Sequence, residues 1–131
     1  MSQTSIFNAS SSELSKVLEE MNQKGNFPIA VLTDREGFPI ASAAAENHDP
    51  ALQAAVVAMI QKVTAQARAQ LGMSLTDEIT LNDKDGRKLV CRPFEANNHD
   101  LVLAVVVPHK DQSYRRLTNQ AVAVIQRKWR F

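Results

Sequence analysis

The sequence predicts an α+β domain with the element order α-β-β-α-β-β-β-α, in which helices cover both faces of a five-stranded antiparallel sheet. Two Asp-x-x-Gly turns, at residues 34–37 and 83–86, each separate two apolar runs, a pattern typical of β-hairpins. The run Leu101–Val107 is apolar at every position, as expected for a central strand that is covered on both faces. Amphipathic segments precede, separate and follow these strands, so three helices complete the predicted fold.

The composition favours a single globular domain in the cytoplasm. The chain has 131 residues and a mass of 14.5 kDa, a common size for one domain, and we expect a flexible tail at residues 1–10 and the domain at 11–131. A net charge of +1 gives no general attraction to nucleic acid, and no apolar run approaches the ~20 residues of a membrane span. The N-terminus lacks the pattern of a secretory signal, and the lone Cys91 suits a reducing compartment.

The first half of the domain begins with a helix and a hairpin. Ser10 and Glu13 have the spacing of a capping box, and apolar residues recur on one face of the helix that follows, which is expected to end at Gly25. The apolar run Ile29–Thr33 then predicts a buried strand. Residues 38–43 predict the strand that returns beside it.

The stretch from Asp49 to Leu71 predicts the central helix. Asp49 is suited to cap the first free N–H groups, Pro50 to fill the first helical position and Gly72 to end the helix. One broad arc of apolar residues is expected to pack on the sheet: Leu52, Val56, Met59, Ile60, Val63, Ala67 and Leu71.

A stripe of small residues runs along the other side of this helix and consists of Ala54, Ala58, Ala65 and Ala69. Alanine is the best helix former, so an alanine-rich exposed face needs no partner. Alternatively, small side chains allow two helices to approach closely, and the stripe then packs against another subunit. The polar neighbours of the stripe would form a rim or a docking surface: Gln61, Lys62, Gln66 and Arg68.

The second half of the domain predicts three strands and a last helix. Residues 77–82 alternate around two apolar positions and predict a strand with one buried face, and residues 89–94 predict its hairpin partner. Asp111 is suited to cap the last helix, which runs towards Trp129. Cations at residues 127, 128 and 130 favour the C-terminal end of the helix dipole.

Motifs for catalysis and for metal or nucleotide binding are missing from the sequence. It contains neither G-x-x-x-x-G-K-[ST] nor G-x-G-x-x-G. His48, His99 and His109 lie in separate predicted loops without the spacing of a metal site. Cys91 lies within a predicted strand, where a small buried thiol is common. We therefore expect no enzyme activity, no cofactor and no metal.

The hairpin at residues 29–42 resembles the opening hairpin of Roadblock-type domains, the dynein light-chain and GTPase-regulator superfamily. The shared pattern is an apolar strand, then Asp-x-[Asp/Glu]-Gly, one further residue and Pro/Leu-Ile/Val-Ala-Ser, and this chain has Asp-Arg-Glu-Gly-Phe-Pro-Ile-Ala-Ser there. The alanine-rich middle helix, the turn at Asp85-Gly86 and the strand Leu101–Val107 follow in the family's order. The resemblance covers residues 11–130 and implies a Roadblock/profilin-like fold.

The resemblance also implies a homodimer that binds a Ras-like small GTPase. Family members pair their middle helices and adjoining third strands, which implies a dimer interface here at Ala54, Ala58, Ala65, Ala69, Ile79 and Leu81. The exposed remainder of the paired helices implies partner binding at Gln61, Lys62 and Arg68. The implied function is that of a non-enzymatic cytoplasmic adaptor that regulates the GTPase and stimulates GTP hydrolysis, if at all, indirectly. Neither nucleic acid nor a membrane is an implied partner.

Two other classes of function stay open at this point. A profilin- or PAS-like sensory module would bind a small ligand and would need a roomy pocket, and co-purification of a small molecule would favour it. An enzyme would need polar groups that converge in the fold, for which the sequence shows no motif.

Overall fold

A computed structural model describes residues 2–129 of the chain, with side chains described from residue 11 onward. In chain order the elements are α1 (Ser2–Gly25), β1 (Ile29–Asp34), β2 (Pro39–Ala44), α2 (Pro50–Leu71), β3 (Ile79–Asn82), β4 (Lys88–Ala96), β5 (His99–Val107) and α3 (Arg115–Lys128). The predicted element order is confirmed. The predicted flexible tail at residues 1–10 lies outside the described side chains, so the division of the chain at residue 10 stays a prediction.

The five strands form one antiparallel sheet in the order β2-β1-β5-β4-β3. The apolar strand β5 is central, as predicted, with Leu103 opposite Leu32 of β1 and Ala104 opposite Cys91 of β4. β2 and β3 are the edges. β3 has four residues and pairs with β4, and no other described strand lies beside the second edge of its backbone.

Helices cover both faces of the sheet, which confirms the predicted α+β architecture. α1 and α3 pack together on one face, and α2 lies on the other. The core beneath α1 and α3 contains large side chains, among them Leu14, Leu18, Leu103 and Ile125. The core beneath α2 is thinner and consists of Ile29, Val31, Ala54, Val57, Cys91, Val102 and Ala104.

The two hairpin turns have the same hydrogen-bonding pattern. Oδ1 of Asp34 accepts hydrogen bonds from the N–H groups of Glu36 and Phe38 at 2.9 and 3.0 Å. Oδ1 of Asp83 accepts from the N–H groups of Asp85 and Arg87, both at 2.9 Å. An aspartate at the first position therefore satisfies the backbone donors of each turn, which explains why the Asp-x-x-Gly pattern predicted both hairpins.

Both ends of α2 are confirmed. Asp49 accepts a hydrogen bond from the N–H of Ala51 at 2.9 Å, and Pro50 occupies the first turn. Gly72 adopts the left-handed conformation, with φ of 68°, and its N–H donates to the carbonyl of Arg68.

The predicted starts of α1 and α3 are wrong. α1 begins at Ser2, so Ser10 lies inside the helix and is not its N-cap. Packing fixes the later part of α1 as a helix. Each residue that then extends this helix adds one backbone hydrogen bond, so the helix continues back through the polar sequence. α3 begins at Arg115 after Tyr114, and Asp111 lies outside it. The Tyr114 hydroxyl donates to Glu78, and this contact from a distant segment favours a start at residue 115.

The face of α2 that contacts the sheet also differs from the prediction. Its buried residues are Gln53, Ala54 and Val57, and Ile60 packs beside them. The rest of the predicted apolar arc is largely turned away from the sheet, because the following residues are exposed: Leu52, Val56, Met59, Val63 and Leu71.

Close packing of α2 against the sheet explains this orientation. A Cβ on Gly37 would lie 2.8 Å from Cα of Ala58, so the hairpin turn passes directly against the helix backbone. The side-chain amide of Gln53 donates to the carbonyl of Ala104 at 3.0 Å, which places a polar helix residue on the sheet itself. Small residues permit this approach, whereas larger side chains at these positions would hold the helix away.

Candidate functional site

The first exposed feature is an apolar stripe on α2. Leu52, Val56, Met59 and Val63 are spaced four, three and four residues apart, so they lie in one line along the helix, and Met59 is 68% exposed. We call these four residues the α2 ridge. A contiguous exposed apolar surface of this kind is typical of a protein–protein contact.

Further exposed apolar residues follow α2 towards the edge of the sheet: Leu71, Met73, Leu75 and Leu81. Leu81 lies on the edge strand β3, two residues after Ile79, and therefore on the same face of the sheet. Ile79 packs against the core beneath α2. Ile79 and Leu81 of the edge strand therefore point to the face of the sheet that carries α2. Unpaired strand edges are sites at which another chain adds a strand.

The structure places the six predicted dimer residues in different environments. Ala54 is 3% exposed and packs with Ile29 and Val31, so it has no surface left for a partner. Its assignment to an interface is therefore corrected. Ala58 and Ile79 are half-buried, and three of the six are exposed: Ala65, Ala69 and Leu81. Contact of any of these residues with a second copy stays a prediction.

The three predicted partner-binding residues meet on one wall of a groove of about 560 Å³. Gln61, Lys62 and Arg68 line it from α2, together with Ala58 and Ala65. The opposite wall comprises the ends of β4 and β5 and the β1–β2 turn: Pro93, Phe94, Glu95, Asp100, Leu101, Arg35 and Glu36. The sequence could not predict this groove, because its walls come from segments that are far apart in the chain.

The groove combines an apolar surface with charges of both signs. Arg35 lies 3.7 Å from the carboxylate of Asp100, and both side chains are largely exposed. Oε1 of Gln61 is buried and has no hydrogen-bond partner among the described residues. A buried acceptor without a partner carries a desolvation cost.

The sequence did not predict a buried ionic cluster between β3, β4 and α3. The guanidinium of Arg92 donates to Oγ1 of Thr118 at 2.8 Å and to Oδ1 of Asn119 at 2.7 Å. Glu78 lies beside it, with 4.0 Å between Oε1 and Nε of Arg92. Arg92 occupies a core-facing position of β4 between Val90 and Phe94, and a charged residue at such a position is the sequence signal that could have indicated this cluster.

Glu78 is expected to make the fold sensitive to acid. Burial alone would raise the pKa of Glu78, but hydrogen bonds from two hydroxyls and the charges of two nearby arginines outweigh burial and lower it. The stability that its carboxylate contributes is therefore present above the pKa of the unfolded chain and is lost as the pH falls through the lower folded pKa. We expect the Glu78→Gln variant to lose less free energy of unfolding than the parent between pH 7 and about pH 3. Urea unfolding at each pH measures this, and an acid-induced loss equal to that of the parent would contradict it.

Cys91 is buried beneath α2, and burial raises the pKa of its thiol to about 12. The reactive thiolate is therefore scarce at neutral pH. We expect the folded protein to be inert towards Ellman's reagent at pH 8 and the denatured protein to react with one equivalent. Rapid stoichiometric reaction of the native protein would contradict this placement of the thiol.

The histidines do not form a site in the described part of the chain. His99 begins β5, and its ring lies 5.7 Å from that of Trp129. Within residues 2–129, no group of three or more His, Cys, Asp or Glu side chains could hold a metal ion. In the same part of the chain, no helix is long and apolar enough to cross a lipid bilayer.

The three helices, the strand order and the position of α2 define the fold of a Roadblock-type domain. The chain is similar to the gliding protein MglB of Thermus thermophilus, with 21% identity over 92% of this chain and 90% of that one and a TM-score of 0.73. It is similar to Myxococcus xanthus MglB, with 17% identity, coverage of 88% and 86% and a TM-score of 0.74.

A Roadblock/LC7 domain from Streptomyces avermitilis has a TM-score of 0.67 and 14% identity, with coverage of 86% of this chain and 94% of that domain. No protein-family model and no curated protein matches the sequence. At these identities the similarity establishes the fold.

Proposed function

We propose that this protein is a non-enzymatic cytoplasmic adaptor that forms a homodimer and regulates a Ras-like small GTPase. The proposal is supported by the exposed apolar α2 ridge and by the free edge of β3, the two elements at which the family resemblance implies pairing. In a dimer of this kind, α2 packs against its counterpart and two β3 edges pair, which joins the two sheets. Neither nucleic acid nor a membrane is a partner in this proposal.

The α2 ridge replaces the alanine stripe as the centre of the proposed interface. The ridge offers branched and flexible apolar side chains, whose burial contributes about 1.5–3 kcal/mol for each fully buried side chain. Alanine contributes much less apolar area. Ala65 and Ala69 then lie beside the interface, where Ala65 also forms part of the groove.

The groove is the proposed binding site for the GTPase. Lys62 and Arg68 line it from α2, and the segments opposite them supply apolar side chains and charges of both signs. Regulation is indirect in this proposal: the adaptor positions the catalytic residues of the GTPase and does not supply its own.

A charge-reversal experiment tests the role of the groove. The tagged parent and the Lys62→Glu/Arg68→Glu variant are incubated with the native cytoplasm, and bound GTPases are identified together with their nucleotide. We expect the parent to retain one Ras-like GTPase and the variant to lose it at least about tenfold, because the reversal replaces both cations of the proposed contact surface with carboxylates. The matched control is Lys16→Glu/Arg116→Glu, which reverses two exposed cations on α1 and α3, on the other face of the sheet. Equal retention by all three proteins would contradict the assignment of the groove.

The groove also supports the alternative of a ligand-binding sensory module. Its volume of about 560 Å³ lies in the range of sites for small molecules. Native mass spectrometry of the purified protein separates the two functions. A stoichiometric bound small molecule would favour the sensory module over the adaptor.

A further inference from the structure

The edge strand β3 has few connections to the rest of the fold. It pairs with β4 over residues 79–82, and the segment that leads into it contains the exposed residues Met73, Ser74 and Leu75. On the α2 side, Ile79 is its contact with the core. A four-residue edge strand with a single neighbour opens more readily than a central strand, unless other contacts hold it.

Glu78, the residue immediately before β3, supplies such contacts on the opposite side of the sheet. Its Oε2 accepts hydrogen bonds from the hydroxyls of Tyr114 and Thr80, both at 2.7 Å. Its Oε1 accepts from Arg115 at 2.8 Å. Tyr114 and Arg115 form the start of α3, so one carboxylate joins the beginning of the edge strand to the beginning of the last helix.

The surroundings of Glu78 make these bonds stronger than those of a surface carboxylate. Its side chain is 18% exposed, and the side chain of Arg92 beside it is 10% exposed. The neighbouring Asp77 also faces Arg115, at 3.3 Å, but its side chain is 74% exposed. Exposed ion pairs contribute little to stability, whereas a hydrogen-bonded carboxylate that is largely buried contributes more.

Arg92 gives the cluster a further dependence on Glu78. Its two terminal nitrogens bond to α3, while its Nε is buried without a hydrogen-bond partner among the described residues and faces Oε1 of Glu78. Removal of the Glu78 charge would leave the buried guanidinium with only the exposed Asp77 carboxylate, 4.0 Å from it, as an anionic neighbour in the described part of the chain. The carboxylate and the guanidinium therefore stabilise each other between β3, β4 and α3.

We propose that Glu78 is a positioning residue that holds the β3 edge in place by tying it to α3, and that this connection controls the strength of the dimer. The part of this inference that concerns the dimer rests on the proposed function. The part that concerns how firmly β3 is held does not. The groups that face Glu78 from the packed elements are Asp77, Thr80, Arg92, Tyr114 and Arg115. α3, which lies on the far face of the sheet from α2, thereby influences a surface that it does not itself contribute.

Hydrogen exchange tests the connection in the full-length protein. Amide exchange of β3 is measured for the parent, Glu78→Gln and Tyr114→Phe, with Asp77→Asn as the matched control and β5 as the internal reference. We expect exchange in β3 to accelerate at least about tenfold in Glu78→Gln and less in Tyr114→Phe, with β5 and the control unchanged. Unchanged exchange in β3 would overturn the inference, as would equal acceleration in β3 and β5, which reports global destabilisation.

Sedimentation of the same proteins tests the effect on assembly. We expect the dissociation constant of the Glu78→Gln dimer to rise at least about tenfold, because an edge that is often open pairs less often. Faster exchange in β3 with an unchanged dissociation constant would overturn the link to the dimer. A parent that is monomeric at all concentrations would contradict the proposed function, and the exchange data would still decide whether Glu78 positions β3.

Discussion

Replacement of Val63 by glutamate is expected to convert the proposed dimer into monomers. Val63 lies on the exposed α2 ridge, and in the proposed dimer a glutamate there would bring its charge into an apolar contact without a partner. Burial of an unpaired charge costs several kcal/mol, so the dissociation constant should rise by at least about a hundredfold. Sedimentation velocity over a range of protein concentrations measures the change.

The matched control is Ala69→Glu, which places the same charge on the alanine stripe of the same helix. Val63 and Ala69 are both exposed, so neither substitution disturbs the core. Ala58 is unsuitable as a control because it lies against Gly37, and a glutamate at this position would disturb the packing of α2 as well as the surface. If Ala69→Glu dissociates the dimer and Val63→Glu leaves it intact, the stripe forms the interface and our assignment of the ridge is wrong.

Replacement of Gly37 by alanine is expected to destabilise the domain by about 2–4 kcal/mol, from backbone strain and from overpacking together. Gly37 has φ of 91°, a conformation that alanine adopts at a cost. An added Cβ would also approach the backbone of Ala58, to 2.8 Å from Cα and 3.0 Å from N, and neither atom can move without shifting α2. Chemical denaturation measures the loss of free energy of unfolding.

Gly72→Ala separates the two contributions. Gly72 also has positive φ, at 68°, but a Cβ there would meet no described atom within 4 Å. This variant should therefore lose only about 1 kcal/mol from backbone strain. Equal losses in the two variants would show that the hairpin turn does not press against α2, and would contradict the close packing that sets the orientation of the helix.

The hairpins and the central strand were predictable because their causes are local. Asp34 and Asp83 bond to backbone N–H groups two and four residues away, so the turn sequence alone contains the information for the turn. Leu101–Val107 is apolar throughout, and such a run is stable as a strand only in the middle of a covered sheet. The ends of α2 follow from Asp49 and Gly72 for the same reason.

The start of α3 and the ionic cluster were not predictable, because their causes are distant in the sequence. Asp111 is a good capping residue, but the helix begins at Arg115, where Tyr114 and Arg115 contact Glu78 from 36 and 37 positions away. The groove likewise depends on α2, two strand ends and a hairpin turn meeting in space. Residues 61, 62 and 68 could be proposed from their place on one helix, but the wall opposite them could not.

The sequence by itself determined the order of elements, the hairpins and the existence of a central helix with apolar residues on two sides. The tertiary structure decided which of those sides lies inside. A helical pattern records the directions of side chains but not the distance at which the helix packs, and here Gly37 and small core residues bring α2 close to the sheet. At that distance Ala54 fits between α2 and the sheet. The larger residues Val56, Met59 and Val63 lie on the exposed side of the helix, where they form the surface proposed to meet a second copy.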